Sequence, residues 1–443
     1  MVALLTNEPA PLDIRIHEKE YTSNEPIGGY VGSEFTWNRN TPDKGKLIVQ
    51  GNHRHARDLM ACVETVVPIT TMVNGKRWSG RVTDFEFTGP DNSLLSCDLT
   101  GDLRMLGGML AYPNSYLPEW IQFPPQDIFI GGARPALSSY VYKAANRARL
   151  PIVTTPYNFW DASEFVVMAA RMDPLDELFS QVLKDADQQA EMNIWLPGDP
   201  QPFPNRYTMF RPSLLWAMRD KRMMTDHIQW SVQGGGIKDY RVAGKHPSAH
   251  TVMVGGKSPD IINTMIREAV NMLIAAALAL IGLPFLGSIG GLLDDILFAF
   301  NRFVDYERKA ALGLFGWPES FAPAAAGAFT LDALQAGLQH LKDTAGTTSV
   351  TFTVQGDKPH QFGVGLDERG LPRYDINDVV TFRNGAQIIH DYVSSVTVRD
   401  DRANRLTTTT TIGDPRTAKD PIAQMIGMFK GLSTVVRSMN LQT

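Results

Sequence analysis

The sequence predicts an α+β, multidomain chain in which two β-rich blocks flank mixed segments and a long apolar helical hairpin. Three observations carry this reading. Residues 13–100 and 347–413 are written in short β-branched or aromatic runs broken by Asn, Gly, Pro and Asp. The intervening chain alternates strand-like and helix-like patterns. The run 271–300, NMLIAAALALIGLPFLGSIGGLLDDILFAF, has no counterpart elsewhere in the chain. With 443 residues there is room for about three domains. A composition of 43% apolar and 20% charged residues argues for folded rather than disordered chain.

Residues 1–100 form the first unit. DIRIHEKE, SEFTWNRN, GKLIVQGN, ETVVPITTMV, KRWSG, VTDFEFTG and NSLLSCDLT read as strands that close into a barrel or sandwich, with HARDLMACVE, around 56–64, as one short inserted helix. Residues 101–150 read as a helical appendage, because Tyr140, Ala144 and Ala148 fall near helical spacing. Residues 151–258 read as an α+β domain. Its strands are IVTTPYNF, EMNIWLP, RYTMFRP, HIQWSVQ, DYRVAG and HTVMVGG, and its helix is PLDELFSQVLKDADQQ.

Helices are expected to dominate 259–346. No charge occurs between Glu268 and Asp294, a span long enough for a transmembrane helix. Gly282, Pro284, Gly287, Gly290 and Gly291 interrupt it, and an interior proline alone costs a helix about 3 kcal/mol. The run therefore splits into arms 261–281 and 292–314, each about 30 Å long at 1.5 Å per residue. Met272, Leu273, Ile274, Leu278 and Leu280 populate the first arm, and Ile296, Phe300 and Phe303 one side of the second. The tip holds Ile281, Leu283, Pro284, Phe285, Leu286, Ile289 and Leu292. A helix apolar all round must be buried in a core, against copies of itself, or in lipid. The flanking Arg267, Glu268, Asp294 and Asp295 show no positive-inside asymmetry to decide among these.

Residues 347–420 form the second β unit, with TTSVTFTVQG, NDVVTFRNG, AQIIHDYVSSVTV and NRLTTTTTIGDP as strands and Asn384 with Gly385 favouring a tight hairpin. Residues 421–443 close the chain as an amphipathic helix with Ile422, Met425, Ile426 and Phe429 on one face.

Chemical motifs fail one by one. VMVGGKSPD has Thr251 where a phosphate-binding loop needs its first glycine. His53 and His55 lack a third metal ligand and sit beside Arg54 and Arg57, which favours a solvated turn. His246 and His250 flank Pro247 without the glutamate of a zinc helix. LGSIGG has Leu286 in place of the first glycine of a nucleophile elbow. Asp294 and Asp295 suit a helix N-terminus better than a glycosidase pair. The eight tryptophans are spread along the chain as core and interface anchors. No catalytic, cofactor-binding or metal residue is therefore assigned, and no cofactor is expected.

Cys62 and Cys97 form neither a disulfide scaffold nor a zinc ribbon, which points to synthesis in a reducing cytoplasm, and MVALLTNEPAPLD has no signal-peptide pattern. A net charge of −5 gives no source for the counterion release that sustains stable nucleic-acid binding.

SEFTWNRNTPDKGKLIVQGNHRHARDLM, RWSGRVTDFEF and LLSCDLTGDLRMLGGMLAYP resemble the N-terminal barrel of minor tail proteins from long-tailed, non-contractile phages of actinobacteria. EAVNMLIAAALALIGLPFLGSIGGLLDD and the stretch from VVTFRNGAQIIHDYVSSVTV to TTIGDP are similar to later parts of the same proteins. The resemblance implies a non-enzymatic baseplate hub at the distal end of the virion tail, with two β-barrel-like hub domains in each subunit of a homotrimer. It implies as partners the distal tail protein, the tape-measure protein and receptor-binding or fibre proteins, with genomic DNA met only in transit. Such a hub closes the tail tube and opens for DNA ejection. The apolar hairpin then plugs the lumen or contacts the host membrane. The alternative is a membrane-active, pore-forming protein that acts as the phage penetrates its host; a wall-degrading enzyme ranks below both for want of a catalytic set.

Overall fold

The structure, a computed structural model, describes residues 12–89, 93–156, 161, 163, 165–185, 188–203, 205–206, 208–255, 300–323, 340–341, 344, 346–355, 360–401 and 405–413. The N-terminal block alternates inward and outward residues at the two-residue period of a strand. It comprises β1 (Asp13–His17), β2 (Asn24–Pro26), β3 (Gly32–Asn38), β4 (Lys44–Gln50), β5 (Pro68–Val73), β6 (Lys76–Thr88) and β7 (Leu94–Gly101). The short helix expected near 56–64 is present as α1 (Ala56–Met60) and one 3-10 turn. Between β5 and β6 the chain reverses through Asn74 and Gly75, both at positive φ, as a two-residue hairpin requires.

The middle block begins with a 3-10 helix over Asp102–Gly108. It continues through β8 (Leu110–Ala111), β9 (Asp127–Gly132), α2 (Ala133–Ala148), β10 (Ile152–Thr154), β11 (Phe165–Ala170), β12 (Asp173–Pro174), α3 (Leu175–Asp185), β13 (Gln188–Trp195) and β14 (Ser213–Asp220). Helices α2 and α3 pack on the β13–β14 hairpin around Tyr140, Phe179 and Trp216, and the Trp216 indole donates to Ser138 Oγ at 3.2 Å. The RYTMFRP run holds no strand among its described residues, whereas SLLWAMRD, passed over in the sequence, forms β14.

The remaining described elements are β15 (Arg222–Met223), β16 (Gln229–Ser231), β17 (Ile237–Lys245), β18 (Thr251–Gly255), β19 (Phe300–Val304), α4 (Tyr306–Leu312), β20 (Glu319–Pro323), β21 (Thr347–Gln355), β22 (Asp378–Asn384), β23 (Gln387–Asp401) and β24 (Arg405–Ile412). Asn384 and Gln387 pair across a tight β22–β23 hairpin, as expected, but its two-residue loop is Gly385-Ala386, with Gly385 at φ +59 and Asn384 still in the strand.

The two β blocks are one sheet. Its fourteen strands include the continuous path β17-β21-β24-β23-β3-β4-β7-β6-β5-β1-β2, in which β23 joins β3 through seven antiparallel pairs from Ser395↔Asn38 to Asp401↔Gly32. Among the described strands the path ends at β17 and β2 without closing. The expectation of barrel-like closure in each block is thereby corrected. The block edges satisfy one another instead, and an edge that finds a partner strand has no need of closure. One core crosses the seam. Trp37 packs on Phe362 (5.0 Å between ring centroids), Phe362 on Tyr374 (5.7 Å), Tyr374 on Trp230 (4.9 Å) and Trp230 on Phe352 (4.8 Å).

The expected hairpin needs a second correction. Phe300 and Phe303 lie in strand β19, which pairs antiparallel with β18, while β18 pairs parallel with β20. A short apolar run carries no decisive period, and pairing with TVMVG decides for strand over helix. Met272, Leu273, Ile274, Leu278, Leu280, Ile281, Leu283, Pro284, Phe285, Leu286, Ile289, Leu292 and Ile296 lie outside the described residues, as does the closing helix with Ile422, Met425, Ile426 and Phe429. Among the described residues no helix is long and apolar enough to cross a membrane.

Phe35 in β3 is fully buried against Trp78 at 5.1 Å. Phe35→Ala is expected to cost about 3–5 kcal/mol. Because the core is shared across β3 and β23, urea unfolding followed at probes in either β block should shift together.

Candidate functional site

The densest constellation of charges joins all three blocks. Lys76, the first residue of β6, is held under the sheet by the Asn74-Gly75 reversal, with its side chain 8% exposed. Its ammonium donates to Glu191 Oε1 on β13 and to Asp375 Oδ2 ahead of β22, both at 3.0 Å. Arg219 on β14 donates to the same Asp375 oxygen at 2.7 Å, to Gln189 Oε1 at 3.0 Å and to the Ile376 carbonyl. The Asp375 amide donates to Asp378 Oδ2 at 2.7 Å, and Arg222 grips both oxygens of Asp378. Three cations thus face three carboxylates, so the junction is neutral as a whole.

Burial disfavours an ionised Asp375, but Lys76 and Arg219 outweigh it and hold the carboxyl below its ordinary range. Burial likewise opposes the Lys76 charge, and Asp375 with Glu191 keeps it above its ordinary value. Desolvation raises Asp378 despite the Arg222 clamp.

Neighbouring residues extend the lock. Arg77 grips both oxygens of Asp199 and donates to the Ile194 carbonyl at 3.0 Å. Ser79 Oγ donates to Asp102 Oδ2 at 2.6 Å and accepts the Ile194 amide at 3.0 Å. Desolvation pushes Asp102 up to about 6. From the β3–β4 turn, Asn40 donates to the carbonyls of Leu183 (2.8 Å) and Gln188 (2.9 Å) and accepts the Ala190 amide. Every one of these contacts fixes backbone or charge. Among the described residues no group of three or more His, Cys, Asp and Glu is placed to hold a metal.

The sequence-assigned residues sit elsewhere. Of the hairpin set only Phe300 and Phe303 are described, as the first and fourth residues of β19. Gly255 and Phe300 are directly paired, so the sheet holds together the two ends of 256–299. His53 binds the Gly28 carbonyl at 2.8 Å. His55 is buried between Asp58 (3.1 Å) and Glu25 (3.6 Å) rather than in a solvated turn. Trp37, Trp78, Trp195, Trp216 and Trp230 are buried, whereas Trp120 and Trp317 stand in solvent. The Lys76 junction went unseen in the sequence because Lys76, Glu191 and Asp375 share no local spacing; the Asn74-Gly75 pair was the only nearby cue.

Lys76→Ala leaves buried Asp375 to Arg219 alone and Glu191 with only the 3.8 Å approach of Arg219, and is expected to cost about 3–5 kcal/mol at pH 7. Asp375, held low, contributes stability above the ordinary carboxylate value and loses it as pH falls through its folded value. The Lys76→Ala deficit in urea melts should therefore shrink below about pH 4, and an undiminished deficit there would count against the junction. Asp102 has the opposite sign, since the folded state keeps a proton that the unfolded chain releases. Stability then falls as pH rises from about 4 to about 6. Asp102→Asn should gain on the parent protein across that window, and a flat difference would contradict the assignment.

Comparison with solved structures finds a 43 kDa tail protein from prophage MuSo2 of Shewanella oneidensis, 11% identical, covering 91% of this chain and 98% of that one at a TM-score of 0.49. A tail protein from Neisseria meningitidis is 8% identical over 95% of this chain and 100% of that one, with a TM-score of 0.47. Prophage tail protein gp18 from Listeria monocytogenes is 10% identical over 96% and 99%, with a TM-score of 0.43. Comparison with curated proteins gives no match. The family described as Siphovirus ReqiPepy6 Gp37-like protein matches residues 13–414, from the first strand to just past the last described one. The chain belongs to this family of siphovirus tail proteins.

Proposed function

We propose that the chain is a structural subunit of the tail-tip hub, three copies of which close the distal end of the tail tube and open for DNA ejection. The observation that carries the reading is the family match across both β blocks, 13–414, together with their union into one sheet. A sheet continuous from β17 to β2 and bolted to the middle block at Lys76 suits a part that transmits force without changing shape. In this reading the subunit meets the distal tail protein above, the tape-measure protein inside and receptor-binding proteins at the periphery. Its net charge of −5 lets DNA slide past instead of holding its phosphates.

The apolar stretch within 256–299 plugs the lumen in the closed hub and is released toward the host membrane on opening. What supports this is the sequence of that stretch and the pairing of Gly255 with Phe300, which offers it from the sheet as an insertion.

Replacing 256–299 by a short Gly-Ser turn should leave β18 and β19 paired and the purified chain folded. Tails carrying the shortened protein should assemble but release DNA prematurely or fail to infect. Tails that retain DNA and infect normally would overturn the plug. A chain that stays monomeric at every concentration, measured by mass in detergent-free buffer, would argue against the ring.

A further inference from the structure

The continuous path through the large sheet ends at β2 and at β17, and the two ends differ. β2 has three residues, the last of them Pro26, which lacks a backbone N–H, so that edge offers little to pair with. β17 has nine, and among the described strands it pairs with β21 alone. About half of its residues therefore point N–H and C=O groups away from the sheet. A bulge between Ile237 and Asp239 leaves Lys238 out of the ladder at one end, and Pro247 follows the strand at the other. Between these stops Asp239 to Lys245 run in unbroken register with Thr353 to Thr347. Of these seven residues all but Val242 are exposed.

The stretch is complementary to itself. Read antiparallel about Val242, Asp239 meets Lys245, Tyr240 meets Gly244, Arg241 meets Ala243, and Val242 meets its own copy. Opposite charges close both ends, and between them a long side chain stands across from a small one. The two-residue period puts matched residues on the same face, Asp239, Arg241, Ala243 and Lys245 on one and Tyr240, Val242 and Gly244 on the other. Among the described residues the side chains of Asp239, Arg241 and Lys245 make no ion pair or hydrogen bond. Tyr240 keeps its ring 6.0 Å from Phe382 on its own chain, and an aromatic residue across from a strand glycine is a recurrent pairing. The register is also unique. Moving the axis one residue either way sets Arg241 against its own copy or against Lys245, and like charges directly opposite destabilise a ladder.

We propose that β17 pairs antiparallel with β17 of a second copy about a two-fold axis at Val242, so that one sheet runs through both molecules. The contact is isologous, and each Asp239–Lys245 pair therefore occurs twice. The occupant is a second copy because charge and size complementarity are both contained within the same seven residues. The inference does not rest on the hub reading. A two-fold contact at β17 combined with a ring of three gives six copies, and without the ring it gives two.

The test weighs the purified full-length chain in detergent-free buffer over a concentration series. A mass of two or six copies is expected. A mass of one or three at every concentration would overturn the pairing, and three would leave the ring standing. Lys245→Asp reverses two charge pairs at once and should weaken the two-fold association about tenfold, with circular dichroism unchanged. Asp239→Lys should do the same, and the two substitutions together, which exchange the charges, should restore the parent's association. A folding defect does not produce that rescue. Single variants that associate as the parent does, or a double variant that stays as weak as either single one, would overturn the proposal.

Discussion

The fold depends on one ladder, the seven antiparallel pairs between β3 and β23. β23 is fifteen residues long and has two uses: its first half pairs with β22, and its second half lies between β24 and β3. Removing that ladder would leave two blocks, each with an unpaired edge and half of a shared aromatic core. With it, Phe35 and Trp37 on one strand and Val396 and Val398 on the other are all buried to 2% exposure or less. The Thr36 and Thr397 hydroxyls meet at 2.9 Å on the opposite face of the same seam.

The ladder brings Lys76 and Asp375 together, and the middle block is secured through that pair. A buried ion pair is a poor source of net stability, because desolvation offsets most of the attraction, but it is intolerant of misregistration. Here that intolerance is structural. If β13 slid by one residue, Glu191 would turn to the other face and Lys76 would lose one of its two carboxylates. The Arg77–Asp199 and Ser79–Asp102 contacts impose the same register from neighbouring positions on β6. Packing alone, spread over Tyr140, Phe179 and Trp216, would allow more play.

Local structure was readable wherever the signal was local. The alternating runs of 13–100, the helices at α1, α2 and α3, and the hairpin at Gly385 all follow from spacing and turn chemistry. SLLWAMRD shows no strand alternation because it is apolar on both sides of its period, and Phe300 with Phe303 fits a helix because three-residue spacing also occurs in a short strand. The union of the two β blocks was illegible for a different reason. Thr36 and Thr397 are 361 residues apart, and no spacing rule connects them. The same holds for Lys76 with Asp375, 299 apart. Two well-formed β patterns therefore predict two closing barrels, whereas each leaves an edge that the other completes.

Amide hydrogen exchange of the intact chain would show whether both β blocks are one cooperative body. Amides of β3 and β23 across 33–38 and 395–400 should be protected as strongly as those of the β6–β7 hairpin and open with them in a single global event. Fast exchange confined to β3 and β23, with the two blocks opening separately, would contradict it.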